Sequence, residues 1–160
     1  MASVKQRANG SWRARYRDDS GKEHARHFST KREGQRWLDE MTAALLTGSH
    51  VEPSRARMTV EQWCTAWLRG YERHRLSTVR QARVHVKVIV EDLGHRPIRS
   101  VRPSEVTAWV AGLRERYAPS TVYALHRRLS QIMTDAVHDG LIAKSPCSRR
   151  TSPPAPKQRP

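Results

Sequence analysis

The sequence has few of the features that mark secreted, membrane-spanning or disulfide-rich proteins. Only two of its 160 residues are cysteine, which excludes a scaffold held together by disulfides. Hydrophobic residues make up 37% of the chain, and no apolar run approaches the roughly 18 residues that a membrane-spanning helix needs. The first ten residues contain no apolar segment of the kind found in signal peptides. Acidic residues are also scarce, since 15 Asp and Glu stand against 30 Lys and Arg.

The resulting net charge of +15 is spread along the whole chain. Residues 1–57 hold 12 basic and 7 acidic side chains, residues 58–148 hold 14 and 8, and residues 149–160 hold 4 and none. Such an excess indicates a polyanionic partner, with nucleic acid the first candidate and an anionic membrane surface the second. Because both longer segments are basic, the charge belongs to the folded parts rather than to a tail.

Residues 4–28 are predicted to form a three-stranded antiparallel meander. Asn9-Gly10 and the Asp18–Gly21 segment are the turn signals between its strands. The middle strand alternates apolar residues on one face with arginines on the other: Trp12, Ala14 and Tyr16 against Arg13, Arg15 and Arg17. Thr30 and Glu33 then form a capping box that opens a helix ending at Gly48. We expect this helix to cover the apolar face and leave the arginines open.

Four further helices are predicted between residues 59 and 140. Their expected starts are a Thr59/Gln62 capping box, a Ser77 cap, Pro103 and Pro119. In the second of these helices alternate valines also fit a strand, but the helical period and the length of about 16 residues favour a helix. The predicted fold class is α+β: a small three-stranded antiparallel sheet with a helix, followed by a four-helix bundle.

Two groups of short motifs follow each other along the chain. The first consists of Asn9–Tyr16, Phe28–Lys31 and Trp37-Leu38. The second consists of Thr59-Val60, Leu93-Gly94, Pro119–Val122 and Asp135–Ile142. In their order and spacing, the first group resembles the N-terminal arm-binding domain of phage-type tyrosine recombinases (integrases). The second group resembles the core-binding, SAM-like helical domain of the same enzymes.

This resemblance implies a domain organisation. Residues 1–48 would be the arm-type DNA-binding domain, 49–57 a linker, 58–148 the core-binding domain, and 149–160 an extended linker toward a catalytic domain that is missing. The family's catalytic domain carries two arginines, a lysine, a His-x-x-Arg motif and a late nucleophilic tyrosine. This chain has no His-x-x-Arg, and its last tyrosine is Tyr123. We therefore assign no catalytic residue and expect binding without cleavage.

The candidate DNA contacts in the sheet lie on the arginine face of the middle strand. Arg13, Arg15 and Arg17 lack an intervening acid on their strand, and bound phosphates would relieve their mutual repulsion. A sheet can enter the major groove, and the resemblance implies this docking. Lys5 and Arg7 are predicted to assist from the first strand. The alternative is a merely solvated face.

The candidate DNA contacts in the bundle lie on the outer faces of its second and fourth helices, which the resemblance places in adjacent grooves. The first set is Thr78, Arg80, Gln81, Arg83 and Lys87, with His85 nearby. The second set is Ser120, Thr121, Tyr123, Arg127 and Gln131. Hydroxyl, guanidinium and amide groups at helical spacing can contact phosphates and base edges. An ordinary polar face is the alternative.

The expected partner is double-stranded DNA, with arm and core attachment-site sequences, in the cytoplasm of a bacterial host. We expect a free monomer, assembly of the full-length protein on DNA, and neither a membrane partner, a metal nor a cofactor. A stand-alone basic transcription or chromatin regulator is the main alternative. A nuclease ranks last, because no carboxylates or histidines have the spacing for metal-assisted hydrolysis.

Overall fold

The chain folds into two compact units, Met1–Glu52 and Pro53–Pro160. The computed structural model describes residues 2–48, 50 and 55–156, without the side chain of Ala56. The first unit combines a sheet with one helix, and the second is helical. This arrangement confirms the predicted α+β class.

Three antiparallel strands in the order β1-β2-β3 form the sheet of the first unit. They are β1 (Ser3–Gln6), β2 (Trp12–Arg17) and β3 (Glu23–Phe28), followed by helix α1 (Lys31–Leu46). Residues pair one to one along both interfaces, so that Ala14 of β2 lies between Val4 and Arg26. This register fixes which side chains share a face, because the side-chain period of a strand is two.

Both hairpins turn through a glycine with a positive φ. Gly10 has a φ of +79° and Gly21 a φ of +83°, in the left-handed region that glycine enters without steric cost. In each loop the glycine N–H donates to the carbonyl three residues earlier, Arg7 or Asp18. Asn9 does not share the positive φ, so the first hairpin is a turn followed by a left-handed glycine rather than a two-residue Asn-Gly turn.

Helix α1 packs on one face of the sheet. Its Thr30/Glu33 capping box is present, with both reciprocal hydrogen bonds formed. Leu38 is buried against Ala14 and Tyr16, and partly buried apolar side chains surround these three. Gly34 permits the close approach, since a Cβ there would lie 3.3 Å from Cγ1 of Val4. The helix therefore covers the apolar face and leaves the arginine face open, as predicted.

Four helices build the described part of the second unit, residues 55–156. They are α2 (Val60–Tyr71), α3 (Leu76–Leu93), α4 (Pro103–Arg116) and α5 (Pro119–His138), with short 3-10 turns at Arg55–Arg57 and Ile98–Ser100. The Thr59/Gln62 capping box opens α2 as predicted. The valine-rich segment is helical, and its Val79, Ala82, Val86, Ile89 and Leu93 face inward. Ala82, Val86, Ile89 and Leu93 join side chains of the other three helices in one hydrophobic core.

Two predicted boundaries in this unit are wrong. Ser77 does not cap α3, which begins at Leu76 after Arg75 and has no side-chain cap. The extended linker expected from residue 149 does not begin there. Ser148 and Thr151 close a hydrogen-bonded turn, and the Thr151 side chain is buried 3.0 Å from Nε2 of His126 in α5. The long-range contact with His126 holds this turn against the bundle.

Candidate nucleic-acid interface

The sheet face opposite α1 is basic. Cross-strand pairing places Lys5, Arg13 and His27 in one row, and Arg15 lies beside Ala25 in the next. The side chains of Arg13, Arg15 and Arg17 are 35%, 42% and 61% exposed. Arg7 lies beyond the end of β1 and is exposed in the first turn. We call this surface, formed by Lys5, Arg7, Arg13, Arg15 and Arg17, the sheet face.

An acidic side chain from the neighbouring strand lies among these arginines, although no acidic residue lies between them on β2 itself. Glu23 of β3 lies 3.3 Å from Arg13, 3.4 Å from Arg15 and 3.9 Å from Arg17, measured between side-chain nitrogen and oxygen. The repulsion expected along β2 is therefore partly offset by a carboxylate from the neighbouring strand. One negative charge shared by three guanidinium groups still leaves the sheet face with a net positive charge.

The polar residues of β3 divide between the two faces. Because β3 pairs one to one with β2, Arg26 and His24 lie on the α1 side with Phe28, as strand parity predicts in the absence of a bulge. Nε2 of His24 lies 2.7 Å from Oδ2 of Asp18, and its ring stacks on Tyr16 at 5.1 Å. Hydrogen bonds from the Ser20 hydroxyl and then from His24 lower the pKa of Asp18 below its usual value.

Helix α3 exposes most of the residues predicted to bind DNA. Arg80, Gln81, Arg83 and Lys87 are exposed, whereas Thr78 is half-buried. Arg83 pairs with Glu72 at 3.0 Å, and Lys87 approaches Glu91 at 4.0 Å. Within the described part of the chain, Arg80 has no carboxylate within 4.0 Å. We call this surface, formed by Thr78, Arg80, Gln81, Arg83 and Lys87, the α3 face.

Helix α5 contributes a second polar surface. Ser120, Arg127 and Gln131 are exposed, and Thr121 and Tyr123 are half-buried. The guanidinium carbon of Arg127 lies 5.9 Å from the ring centroid of Tyr123, one helical turn away. This cation–π contact supports the arginine without neutralising its charge. We call this surface, formed by the five residues, the α5 face.

The sequence pattern misplaced His85 of α3 and did not single out Arg128 of α5. His85 is buried rather than near the outer surface, 2.8 Å from Nε2 of Gln81. Arg128 lies over the rings of Tyr71 and Trp67, at 5.1 and 5.8 Å, and donates to the Tyr71 hydroxyl. Burial and then the charge of Arg128 lower the pKa of His85. The adjacent arginines 127 and 128 signalled basic character, but only helix packing shows which one points inward.

Arg128 also orients a predicted contact residue. Its Nη1 donates to Oε1 of Gln131 at 2.7 Å, so one half of that amide is held by the protein. The amino half of Gln131 carries two further donors, which suit phosphate oxygens or base acceptors. The described residues contain no cluster of three metal-ligating side chains, and no helix among them is long and apolar enough to cross a bilayer.

Comparison with known proteins identifies this architecture. The family model of the phage integrase central domain matches residues 54–152, which is most of the second unit. The chain belongs to the phage integrase family. The predicted resemblance is thereby confirmed, and it assigns the helical unit to the central domain of that family.

Two phage proteins are similar in sequence. The integrase of Mycobacterium phage D29 is 25% identical over 142 residues, and that of Mycobacterium phage FRAT1 is 30% identical over 103 residues. These matches cover 81% and 61% of this chain, but 36% and 29% of the phage proteins. The chain thus spans about a third of the length of the curated relatives it matches.

Two solved structures share the fold. A lambda integrase dimer bound to a COC′ core site matches with a TM-score of 0.59 at 18% identity, over 96% of this chain and 46% of that one. The integrase-like domain from Bacillus cereus matches with a TM-score of 0.59 at 19% identity, over 68% of this chain and 92% of that domain. The coverage of the first match includes both units, and the second match supports a shared helical fold.

Proposed function

We propose that this chain binds double-stranded DNA sequence-specifically as the non-catalytic part of a site-specific tyrosine recombinase. Residues 1–48 would hold an arm-type site through the sheet face, and residues 58–148 a core-type site through the α3 and α5 faces. The observation that carries the proposal is that each unit has a basic surface on the side of its elements turned away from the core.

The sheet face has the chemistry for phosphate and base contacts. Guanidinium groups bind phosphate oxygens and guanine edges in a forked geometry, and a small sheet fits the width of the major groove. Arg13 and Arg15 lie near the centre of the three-stranded sheet, where they are anchored by pairing on both sides. A rigid scaffold lowers the entropic cost of ordering these long side chains on DNA.

The helical faces suit a second, independent site. Arg80 and Arg127 are exposed cations, whereas Gln81 and Gln131 supply amide groups that can contact base edges. Two modules on one chain raise the apparent affinity when their sites are within reach of each other. Strand cleavage would require a catalytic domain in addition, and assembly of the full-length protein would occur on the DNA.

The proposal is tested by selecting duplexes from a randomised pool with the whole chain at two salt concentrations. Paired substitutions would then weaken one unit at a time: Arg13→Ala with Arg15→Ala, or Arg80→Ala with Arg127→Ala. Arg36→Ala in α1 and Arg114→Ala in α4 are matched controls, because both are exposed arginines outside the proposed surfaces.

We expect the wild-type chain to enrich two different motifs. The sheet variant should lose one motif, the helix variant the other, and the controls neither. Loss of both motifs in parallel from either variant would contradict the two-site model. Binding without any enriched motif would instead indicate a general phosphate-binding protein.

A further inference from the structure

Among the described residues, three large apolar side chains are strongly exposed to solvent. They are Leu46 in α1, which is 84% exposed, and Leu76 and Val84 in α3, which are 78% and 59% exposed. Leu46 and Leu76 lie at helix ends. Val84 is different, because it lies in the middle of its helix, among the polar residues of the α3 face.

Helical geometry places Val84 at the centre of that face. At 100° per residue it points about 160° away from the buried Val86. Arg80 and Gln81 are one turn before it and Lys87 is one turn after it, at the spacings whose side chains are neighbours on a helix surface. An apolar side chain is thus surrounded by two cations and an amide.

The side chain is also well fixed. Ala82 and Ile89, which flank Val84 along the helix, are fully buried in the core, so α3 is firmly packed. A valine in a helix has one strongly preferred χ1 rotamer. Its two methyl groups therefore have a defined position relative to the flanking Arg80 and Lys87, and little side-chain entropy is sacrificed when they pack on a partner.

One group on the major-groove edges of the bases matches an apolar probe of this kind. The 5-methyl group of thymine is the apolar feature there, and it contacts small apolar side chains. Arg80 and Lys87 supply the charge complementarity that brings the helix to the phosphates. We propose that Val84 packs on a thymine 5-methyl group and makes that base pair part of the recognised sequence. This inference rests on the proposed function.

The test uses deoxyuridine, which pairs as thymine does but lacks the methyl group. The probe is the duplex enriched by the whole wild-type chain, resynthesised with each thymine in turn replaced by deoxyuridine. Affinities are measured for the wild-type chain, for Val84→Ala and for Leu46→Ala. The last variant is a control that removes an exposed apolar side chain from the other unit.

We expect one position, or two adjacent positions, at which deoxyuridine weakens wild-type binding about fourfold, corresponding to the burial of one apolar carbon. Val84→Ala should bind the thymine duplex about as weakly as the wild-type chain binds the substituted one, and should not discriminate at that position. Leu46→Ala should discriminate as the wild-type chain does. Circular dichroism checks that Val84→Ala keeps its helix content.

Three results would overturn the inference while leaving DNA binding intact. They are equal wild-type affinity for thymine and deoxyuridine at every position, full discrimination by Val84→Ala, and a selected site without thymine. A chain that enriches no sequence at all would overturn the proposed function, and this inference with it.

Discussion

Glu23 places a negative charge among the arginines of the sheet face. Its carboxylate lies within 4 Å of all three arginines of β2 and is 31% exposed. In the free protein this contact reduces repulsion on the sheet face. On DNA the same carboxylate would compete with phosphate oxygens for the guanidinium groups and would itself be repelled by them.

Glu23→Gln should therefore strengthen DNA binding. We expect the affinity to rise several-fold at low salt, because a negative charge leaves the proposed interface while the side-chain size is kept. The free energy of unfolding should change by no more than about 1 kcal/mol, since the ion pairs are partly solvated. Fluorescence anisotropy at several salt concentrations, together with urea unfolding, measures both effects. Unchanged or weaker binding would exclude the sheet face from the DNA contact.

Two buried histidines make the stability of the helical unit depend on pH. Burial lowers the pKa of His126, and burial together with Arg128 lowers that of His85, from the ordinary value of 6.5. Around and below pH 6.5 the unfolded chain then binds more protons than the folded one. The free energy of unfolding therefore falls as the pH is lowered through 6.5 toward the folded-state values.

Urea unfolding between pH 7.5 and pH 5 measures this decrease in stability. A chain with His85→Gln and His126→Gln should lose less stability over that range, because glutamine keeps hydrogen-bonding groups but does not titrate. The carboxyl of Glu105, whose pKa is lowered chiefly by the N–H of Arg102, acts in a separate window below about pH 4.5. An unaltered pH profile in the double variant would assign the decrease to other groups.

At the scale of elements, substitution by alanine should have opposite effects on stability at two kinds of glycine. Gly112 lies inside α4, where an added Cβ meets open space, whereas Gly10 has a φ of +79° in the first hairpin. Gly112→Ala should stabilise the helical unit by about 0.5–1 kcal/mol. Gly10→Ala should destabilise the sheet unit by about 1–2 kcal/mol, because the left-handed backbone brings Cβ close to the next carbonyl.

Thermal unfolding followed by circular dichroism measures both changes, and the two substitutions can be combined as a check on additivity. A stabilising Gly10→Ala would mean that the hairpin adopts a different turn. A destabilising Gly112→Ala would mean that α4 is packed on that side.

The elements that were predictable are those specified by neighbours in sequence. The alternation along β2 and the capping boxes at Thr30 and Thr59 use residues no more than four positions apart, so the pattern contains the whole interaction. Ser77 is also a favourable capping residue, although Arg80 rather than Glu or Gln follows three positions later, and α3 begins at Leu76 instead. There the helix start is not set by the serine hydroxyl, and a local preference of about 1 kcal/mol is easily overridden.

The interactions that could not be predicted join residues far apart in sequence. Thr151 meets His126 across 25 residues, and Arg128 meets Tyr71 across 57. Neither pair is visible as a spacing, because each depends on how helices and loops pack. For the same reason the sequence identified the polar faces of α3 and α5 but placed His85 near the outer one.

At the scale of the whole molecule, the charge of +15 predicts a strong salt dependence of DNA binding. Removing one cation that binds a phosphate should make the slope of log affinity against log salt shallower by about 0.9. We expect changes of this size for Arg15→Ala and Arg127→Ala, and their sum in the double variant, because the two residues lie in different units.

The slopes are obtained from titrations between about 50 and 200 mM salt. Arg36→Ala and Arg114→Ala remove the same charge elsewhere and should leave the slope nearly unchanged. Equal changes from all four substitutions would show that the chain responds to its overall charge and not to particular surfaces.

The two cysteines of the sequence both belong to the helical unit. Cys64 is fully buried in its core, and burial raises the pKa of both Cys64 and Cys147 to about 12. Since only a thiolate reacts readily, the buried Cys64 is protected from alkylating reagents at neutral pH, whereas Cys147 is only half-buried. The rate at which Cys64 is labelled therefore reports how often the bundle opens, with no engineered probe. The sheet unit contains no cysteine and does not react in the same assay. One reagent therefore detects opening of the helical unit alone.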